Sequence, residues 1–332
     1  MCIGGGCQPQ KKLVNLALYI SFFPQLIAGP IVKYKEVDKQ IENRNCNSEK
    51  IYEGIRRFTY GLGKKVLISN ILAISVDKIY ALDISQLTGG MVWGASLLYT
   101  FQIYYDFSGY SDMAIGLGKM FGFTFRENFN YPYLSLSIRE FWRRWHISLS
   151  TWFKEYVYIP LGGNRVNIFR TYINLVIVFF LTGIWHGANY NFVLWGLYHG
   201  FFSIIERMGF GKKLINYKWT GFLYSFLVVN FGWVLFRIED IKLALLIMKR
   251  MLLPWRYTVS ENSIWEFINY HTIFVMGCAV AGMGFLQLFT ANSIAVKWKY
   301  SVCESVYCGL ILVFSIMSIA SNTYNPFIYF KF

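Results

Sequence analysis

The chain has 332 residues, 55% of them hydrophobic, 20% aromatic and only 15% charged, which is too little polar side chain to coat a water-soluble domain of this size. Several apolar stretches reach the roughly 20 residues that cross a bilayer, so the composition excludes an ordinary soluble enzyme and points to a polytopic membrane protein. The net charge of +14 fits cationic loops at an anionic membrane face rather than a nucleic-acid partner, since no nucleic-acid motif accompanies it.

Taken in chain order, the apolar blocks fall near 13–31, 66–82, 91–105, 108–123, 171–188, 190–206, 219–236, 271–289 and 305–320. Pro24, Gly29 and Pro30 interrupt the first, and Asp106 and Asp112 lie within 91–123, so broken, re-entrant or tilted helices are expected rather than a plain bundle. Irregular backbone survives at membrane depth only where protein or a watered cavity satisfies its polar groups, which implies an internal chamber. The connector 32–65 carries nine Lys/Arg and 126–170 carries seven, and the positive-inside rule assigns both to the cytoplasm. Segment 207–218 follows them there if 171–188 and 190–206 form a hairpin. Segment 237–256 breaks the alternation with five Lys/Arg, and Ile241 to Trp255 reads as an amphipathic helix lying in the interface. Asp106 and Asp112 are six apart, hence about 120° apart on a helix, and suit capping or pairing with an interior Arg better than a carboxylate dyad.

Soluble-enzyme signatures fail. Gly116, Gly118 and Gly122 are spaced one residue too long for a dinucleotide fingerprint, and Phe58 occupies the glycine position a P-loop needs before Gly63-Lys64-Lys65. Gly109-Tyr110-Ser111 continues as Asp112-Met113, which is no nucleophile elbow. The six cysteines show no metal-ligand spacing and read as reduced, apolar thiols. The chemistry must then rest on rare polar groups inside the membrane, where ionisable side chains are costly and suggest function.

Of four histidines, His186 closes an apolar block in Trp185-His186-Gly187, and on a helix Phe179, Thr182 and Gly183 share its face. It is read either as a general base in a cavity or as a buried imidazole satisfied by a carbonyl. His146 lies in a stretch where Trp142, Trp145, His146, Leu149, Trp152 and Phe153 fall on one helical face and Arg139, Arg143 and Arg144 on another, so one amphipathic helix is expected. Its arginines either anchor the membrane surface or attract an anionic acyl donor, and Glu140 and Arg144 form an i,i+4 ion pair. His199 reads as helix packing, and His271 has no polar company.

Five segments together carry a resemblance: Phe22-Phe23-Pro24-Gln25-Leu26-Ile27-Ala28-Gly29-Pro30-Ile31, Tyr105 to Asp112, Glu140 to Trp152, Pro160-Leu161-Gly162-Gly163-Asn164-Arg165, and Gly183-Ile184-Trp185-His186-Gly187. In this order they resemble the membrane-bound O-acyltransferase (MBOAT) family, most strongly its alginate O-acetyltransferase branch, and the ending Asn325 to Phe332 is similar to that branch too. The resemblance gives His186 the role of catalytic base and His146 a place in the acyl-transfer tunnel. It sets Trp185, Asn189, Trp142, Trp145, Arg143 and Arg144 around the substrates. The sister branch that D-alanylates teichoic acid lacks the Pro160 to Arg165 segment, so the resemblance favours O-acetylation of a polysaccharide. Family members carry further membrane helices ahead of the Phe-Pro-Gln motif, and 1–12 matches no part of the family pattern, which implies a chain shortened at its N-terminus.

The expected protein is thus all-α, a polytopic membrane unit with broken and re-entrant helices around an internal tunnel. It is one domain over 1–332, with family motifs in 13–200 and C-terminal helices in 201–332. Its expected activity is transfer of acetyl from a cytoplasmic donor, acetyl-CoA, toward hydroxyls of an exported polysaccharide, in a bacterial plasma membrane. No metal or bound cofactor is implied. No nucleophilic Ser or Cys is evident, and the resemblance implies an extracytoplasmic SGNH-type partner. D-alanyl or other acyl transfer to a cell-wall polymer, and a non-catalytic channel subunit, are the alternatives.

Overall fold

The computed structural model describes residues 10–22, 24, 29–211, 217–285, 302–321 and 327, and among these all regular structure is helical. In chain order the helices are α1 Leu13–Ser21, α2 Tyr34–Glu42, α3 Ser48–Gly63, α4 Asn70–Tyr80, α5 Gly89–Met120, α6 Ile138–Arg144, α7 Ile147–Phe153, α8 Ile168–His186, α9 Tyr190–Ile205, α10 Lys218–Arg237, α11 Ile241–Leu252, α12 Tyr270–Val280 and α13 Val302–Ser321. Three of them, α8, α10 and α13, are each long and apolar enough to cross a membrane. The chain forms two compact units, one from Met1–Leu67, Tyr105–Asn128 and Val296–Lys331, the other from Ile68–Tyr104 and Phe129–Ala295.

In the first unit, Asn47 caps α3 by accepting from the Lys50 N–H at 2.9 Å. A Cβ on Gly54 would lie 2.6 Å from the Gly116 carbonyl, and one on Gly61 would lie 2.5 Å from that of Gly109, so two glycine pairs spaced seven residues apart let α3 and α5 touch backbone to backbone. The sequence suggested a break near Asp106, yet 91–105 and 108–123 fall largely on the single 32-residue helix α5. The charges that argued for a break are neutralised from α3 and the π-helical turn Lys64–Ser69 that continues it. Lys65 Nζ lies 2.5 Å from Asp106, and Arg57 and Lys64 each lie 2.6 Å from Asp112. Asp112 therefore does pair with an interior Arg, while Asp106 takes a lysine.

The second unit holds the helical hairpin α8–α9. Asn167 starts α8 by accepting from Arg170 N–H at 2.8 Å, and the helix stops at His186 because Gly187, at φ 154° and ψ 166°, leaves the helical region. α10 supplies a buried polar anchor, with Asn230 bonded to Ser96 and Thr100 at 2.9 and 2.8 Å. α11 is amphipathic as its sequence predicts, burying Ala244, Ile247 and Met251 and exposing Leu245, Leu246 and Leu252.

The expected single helix over 139–153 is instead two. Trp145 is extended and His146 takes a left-handed conformation at φ 44°, ψ 55°, ending α6 and starting α7. The apolar period survives the break because each seven-residue piece presents its own inner face, Ile138 and Phe141 in one, Leu149 and Phe153 in the other.

Candidate active site

The apolar face of α8 predicted from the sequence is the buried one: Phe179, Thr182, Gly183 and His186 all point inward. Gly183 has no space for a side chain, since a Cβ there would meet the Phe192 carbonyl at 2.5 Å. The hairpin closes tightly at this point, and α9 brings Phe192 and Trp195 to the His186 ring, with centroids 6.4 and 5.0 Å away. Phe236 of α10 closes another side at 5.2 Å. The imidazole is thus buried in an aromatic cage, edge-on to Trp195 and Phe236 and tilted against Phe192.

Trp185 lies between the two histidines singled out by sequence: its ring is 4.9 Å from His186 and 5.8 Å from His146. His146 is buried, with Ser148 Oγ 3.4 Å from its Nδ1. Burial holds this imidazole well below its usual titration range, and the neighbouring His186 adds to the effect. His146 also carries one of two positive-φ values among the described non-glycine residues. Left-handed backbone is uncommon outside glycine, and such outliers concentrate where a site fixes a side chain's direction.

His199, read from sequence as packing, joins the same cluster. It is fully buried, 5.2 Å from Trp142, 5.3 Å from Trp195 and stacked on Phe141 at 6.3 Å. Neither of its ring nitrogens has a hydrogen-bond partner among the described residues, and the indole nitrogens of Trp142 and Trp195 have none either. Buried polar atoms of this kind are rare and call for water or ligand. Trp142 further lines an apolar cavity of about 150 Å³ with Phe153, Phe179 and Thr182, and Lys154 and Tyr158 also border it.

The remaining sequence candidates spread out. Trp145 is buried in an aromatic stack with Phe141 and Trp233. Arg144 is held by Glu140 at 2.7 Å, the i,i+4 pair the sequence predicts, while Arg143 points to the surface. Asn189 is exposed at the start of α9, and His271 is exposed as well. Sequence reasoning missed Glu206, a buried carboxylate at the end of α9 that accepts from the backbone N–H groups of Ile138 and Arg139 at 2.5 and 3.1 Å. Its one sequence signal was an acid placed at the end of an apolar block. No cluster of three metal-ligating side chains occurs among the described residues.

Two buried imidazoles, His186 and His146, thus stand on either side of the Trp185 indole in an apolar surround, where an imidazole can accept or donate a proton. The chain belongs to the membrane-bound O-acyltransferase family, whose profile matches residues 10–248, and it is an O-acyltransferase. It is 38% identical to the probable alginate O-acetylase AlgI of Pseudomonas putida over 99% of this chain and 71% of that protein. It is 35% identical to the peptidoglycan O-acetyltransferase of Helicobacter pylori over 97% of this chain and 65% of that protein. With the teichoic acid D-alanyltransferase of Bacillus subtilis it shares 29% identity over 70% of this chain and 63% of that protein.

Proposed function

We propose that the chain transfers an acetyl group from a cytoplasmic donor, acetyl-CoA, toward hydroxyls of an exported polysaccharide, within a bacterial plasma membrane. The observation that carries this reading is the arrangement of His186 and His146 around Trp185 inside an aromatic cage. His186 takes the proton of the accepting hydroxyl as its oxygen attacks the thioester carbonyl carbon. The C–O bond forms, the C–S bond breaks, and the proton passes on to the leaving thiolate, so the imidazole is neutral again at the end of the cycle. A positioned base of this kind contributes about 10²–10⁴ in rate. His146 orients the thioester from the side of α6 and α7. The cavity bordered by Trp142 and Lys154 has the apolar wall and single cation suited to the thioester arm of a phosphate-bearing donor. Trp185 and Asn189, both exposed beside His186, suit the acceptor, while Trp145, Arg143 and Arg144 support the donor side.

Identity to the two O-acetylating relatives exceeds that to the D-alanylating one, which favours acetyl over D-alanyl as the group moved. With no serine or cysteine nucleophile assigned, the acetyl group passes to an extracytoplasmic SGNH-type partner that finishes the polymer. One family match running from residue 10 to 248 supports treating the chain as a single membrane domain, with 126–170 on the cytoplasmic side.

The test is alkali-labile acetate on the exported glycan of deletion cells complemented with wild type or His186→Ala, normalised to membrane-inserted protein. Wild type is expected to restore acetate, His186→Ala to abolish it at normal insertion, and His146→Ala to leave a small remainder. Full acetylation by His186→Ala would remove the imidazole from the mechanism.

A further inference from the structure

We propose that Glu206 is a positioning residue for acyl transfer: it fixes α6 against α9 and thereby sets where His146 stands. The inference rests on the role given to His146 above.

Trp195, His199, Ser203 and Glu206 recur along α9 and its continuation at intervals of four, four and three, which puts them on one helical face, and all four are buried. That face holds α6 along its length. At the start, the two Glu206 oxygens accept from the first two backbone N–H groups of the helix, Ile138 and Arg139, at 2.5 and 3.1 Å. Toward the middle, Phe141 stacks on His199 at 6.3 Å, and Trp142 meets His199 and Trp195 at 5.2 and 5.6 Å. The chain leaves α6 through Trp145 directly into the left-handed residue His146, with no spacer. A seven-residue helix is only about 10 Å long, so displacement at its first turn is carried to its last.

Forming α6 does not by itself require Glu206. The helix has local caps of its own: Ser137 Oγ accepts from Glu140 N–H at 3.1 Å, and Glu140 in turn accepts from Leu136 N–H at 2.9 Å. A carboxylate brought from 68 residues further along the chain adds location rather than helicity. Its charge matches the positive end of the helix, and both oxygens are engaged by donors. A glutamine would keep one acceptor and turn an N–H against another N–H. The Tyr224 side chain and the Arg139 guanidinium also face the carboxylate, separately from the two backbone donors.

Two comparisons test the proposal, both read as alkali-labile glycan acetate per inserted protein in complemented deletion cells. In the first, Glu206→Gln is set against Ser137→Ala, which weakens the same helix without touching its attachment to α9. We expect Glu206→Gln to lose about tenfold or more, as misplacement near a reacting group does, and Ser137→Ala to stay within about twofold. In the second, Glu206→Gln is combined with His146→Asn, a residue that tolerates the left-handed backbone. If Glu206 acts through His146, the double variant falls little below His146→Asn alone, because residues acting as one unit are not additive. Equal losses for Glu206→Gln and Ser137→Ala, the same fold loss in both His146 backgrounds, or failure of Glu206→Gln to insert would each overturn the positioning role. Wild-type acetate from both His146→Asn and His186→Ala would instead overturn the catalytic reading on which it rests.

Discussion

Changing Asp106 to Asn removes the carboxylate that neutralises a buried lysine inside the first unit. Lys65 and Asp106 approach to 2.5 Å with side chains only 6% and 2% exposed, so neither charge is screened by solvent. Deleting one partner of such a pair costs about 3–5 kcal/mol, because an ammonium is left in an apolar setting. The Phe327 ring, 4.6 Å from the Lys65 Nζ, makes a cation–π contact in wild type and variant alike and so leaves that cost unchanged. Asp106→Asn should therefore lose about 3–5 kcal/mol. The exposed pair Lys12–Glu42, at 3.1 Å with side chains 70% and 47% exposed, provides the contrast, and Glu42→Gln should cost no more than about 1 kcal/mol. Replacing both buried charges, Lys65→Met with Asp106→Leu, should recover most of the loss, since the desolvation penalty goes with them. Unfolding of detergent-solubilised protein, followed by helical circular dichroism against denaturant, measures all three. The reasoning fails if Asp106→Asn unfolds with wild type, or if the double variant is no better than the single.

Two further outcomes follow from the site. Gly187→Ala forces a side chain onto a backbone at φ 154°, where its Cβ would meet the Phe192 ring at 2.8 Å; strain of about 1–3 kcal/mol beside His186 should remove most glycan acetate at near-normal insertion, and wild-type acetate would show the turn is not needed. Because burial, reinforced by His186, keeps His146 neutral below its usual value of 6.5, acidification protonates the unfolded chain before the folded one. Its contribution to stability should be flat above about pH 7 and fall below about pH 6.5, by up to about 1.4 kcal/mol per pH unit. Unfolding measured at pH 8, 6.5 and 5 checks this, and His146→Asn should have a shallower acid slope than wild type; equal slopes would refute it.

What the sequence made legible was what depends on local period and local breakers. The buried face of α8, its stop at Gly187 and the Glu140–Arg144 pair all follow from spacing within one or two turns. What it hid depends on partners far along the chain. Asp106 and Asp112 looked like interruptions because the lysines and arginine that neutralise them lie 41 to 55 residues away. The break at His146 was invisible because the apolar period runs through it, and the rings of Phe141 and Trp142 that pack on His199 come from another helix. Glu206 was passed over for the same reason: an acid at a helix end is ordinary until the N-terminus of a second helix is seen against it.

The two candidate catalytic histidines share a structural circumstance. His186 is the last residue of α8, before a glycine outside the helical region, and His146 is the residue between two short helices, itself left-handed. Side chains within a helix are directed by its fixed period, whereas a residue at a helix end can be aimed by one unusual φ, ψ pair. In a membrane such ends carry a cost, because freed N–H and C=O groups have no water to bind. The neighbourhood shows how that cost is met at α6, where Ser137, Glu140 and Glu206 supply acceptors to the helix start. The surrounding tryptophans and phenylalanines then fill the volume and exclude water without competing for protons. The break between α6 and α7 thus sets the backbone direction at His146, and the carboxylates of Glu140 and Glu206 satisfy donors at the start of the helix that leads to it.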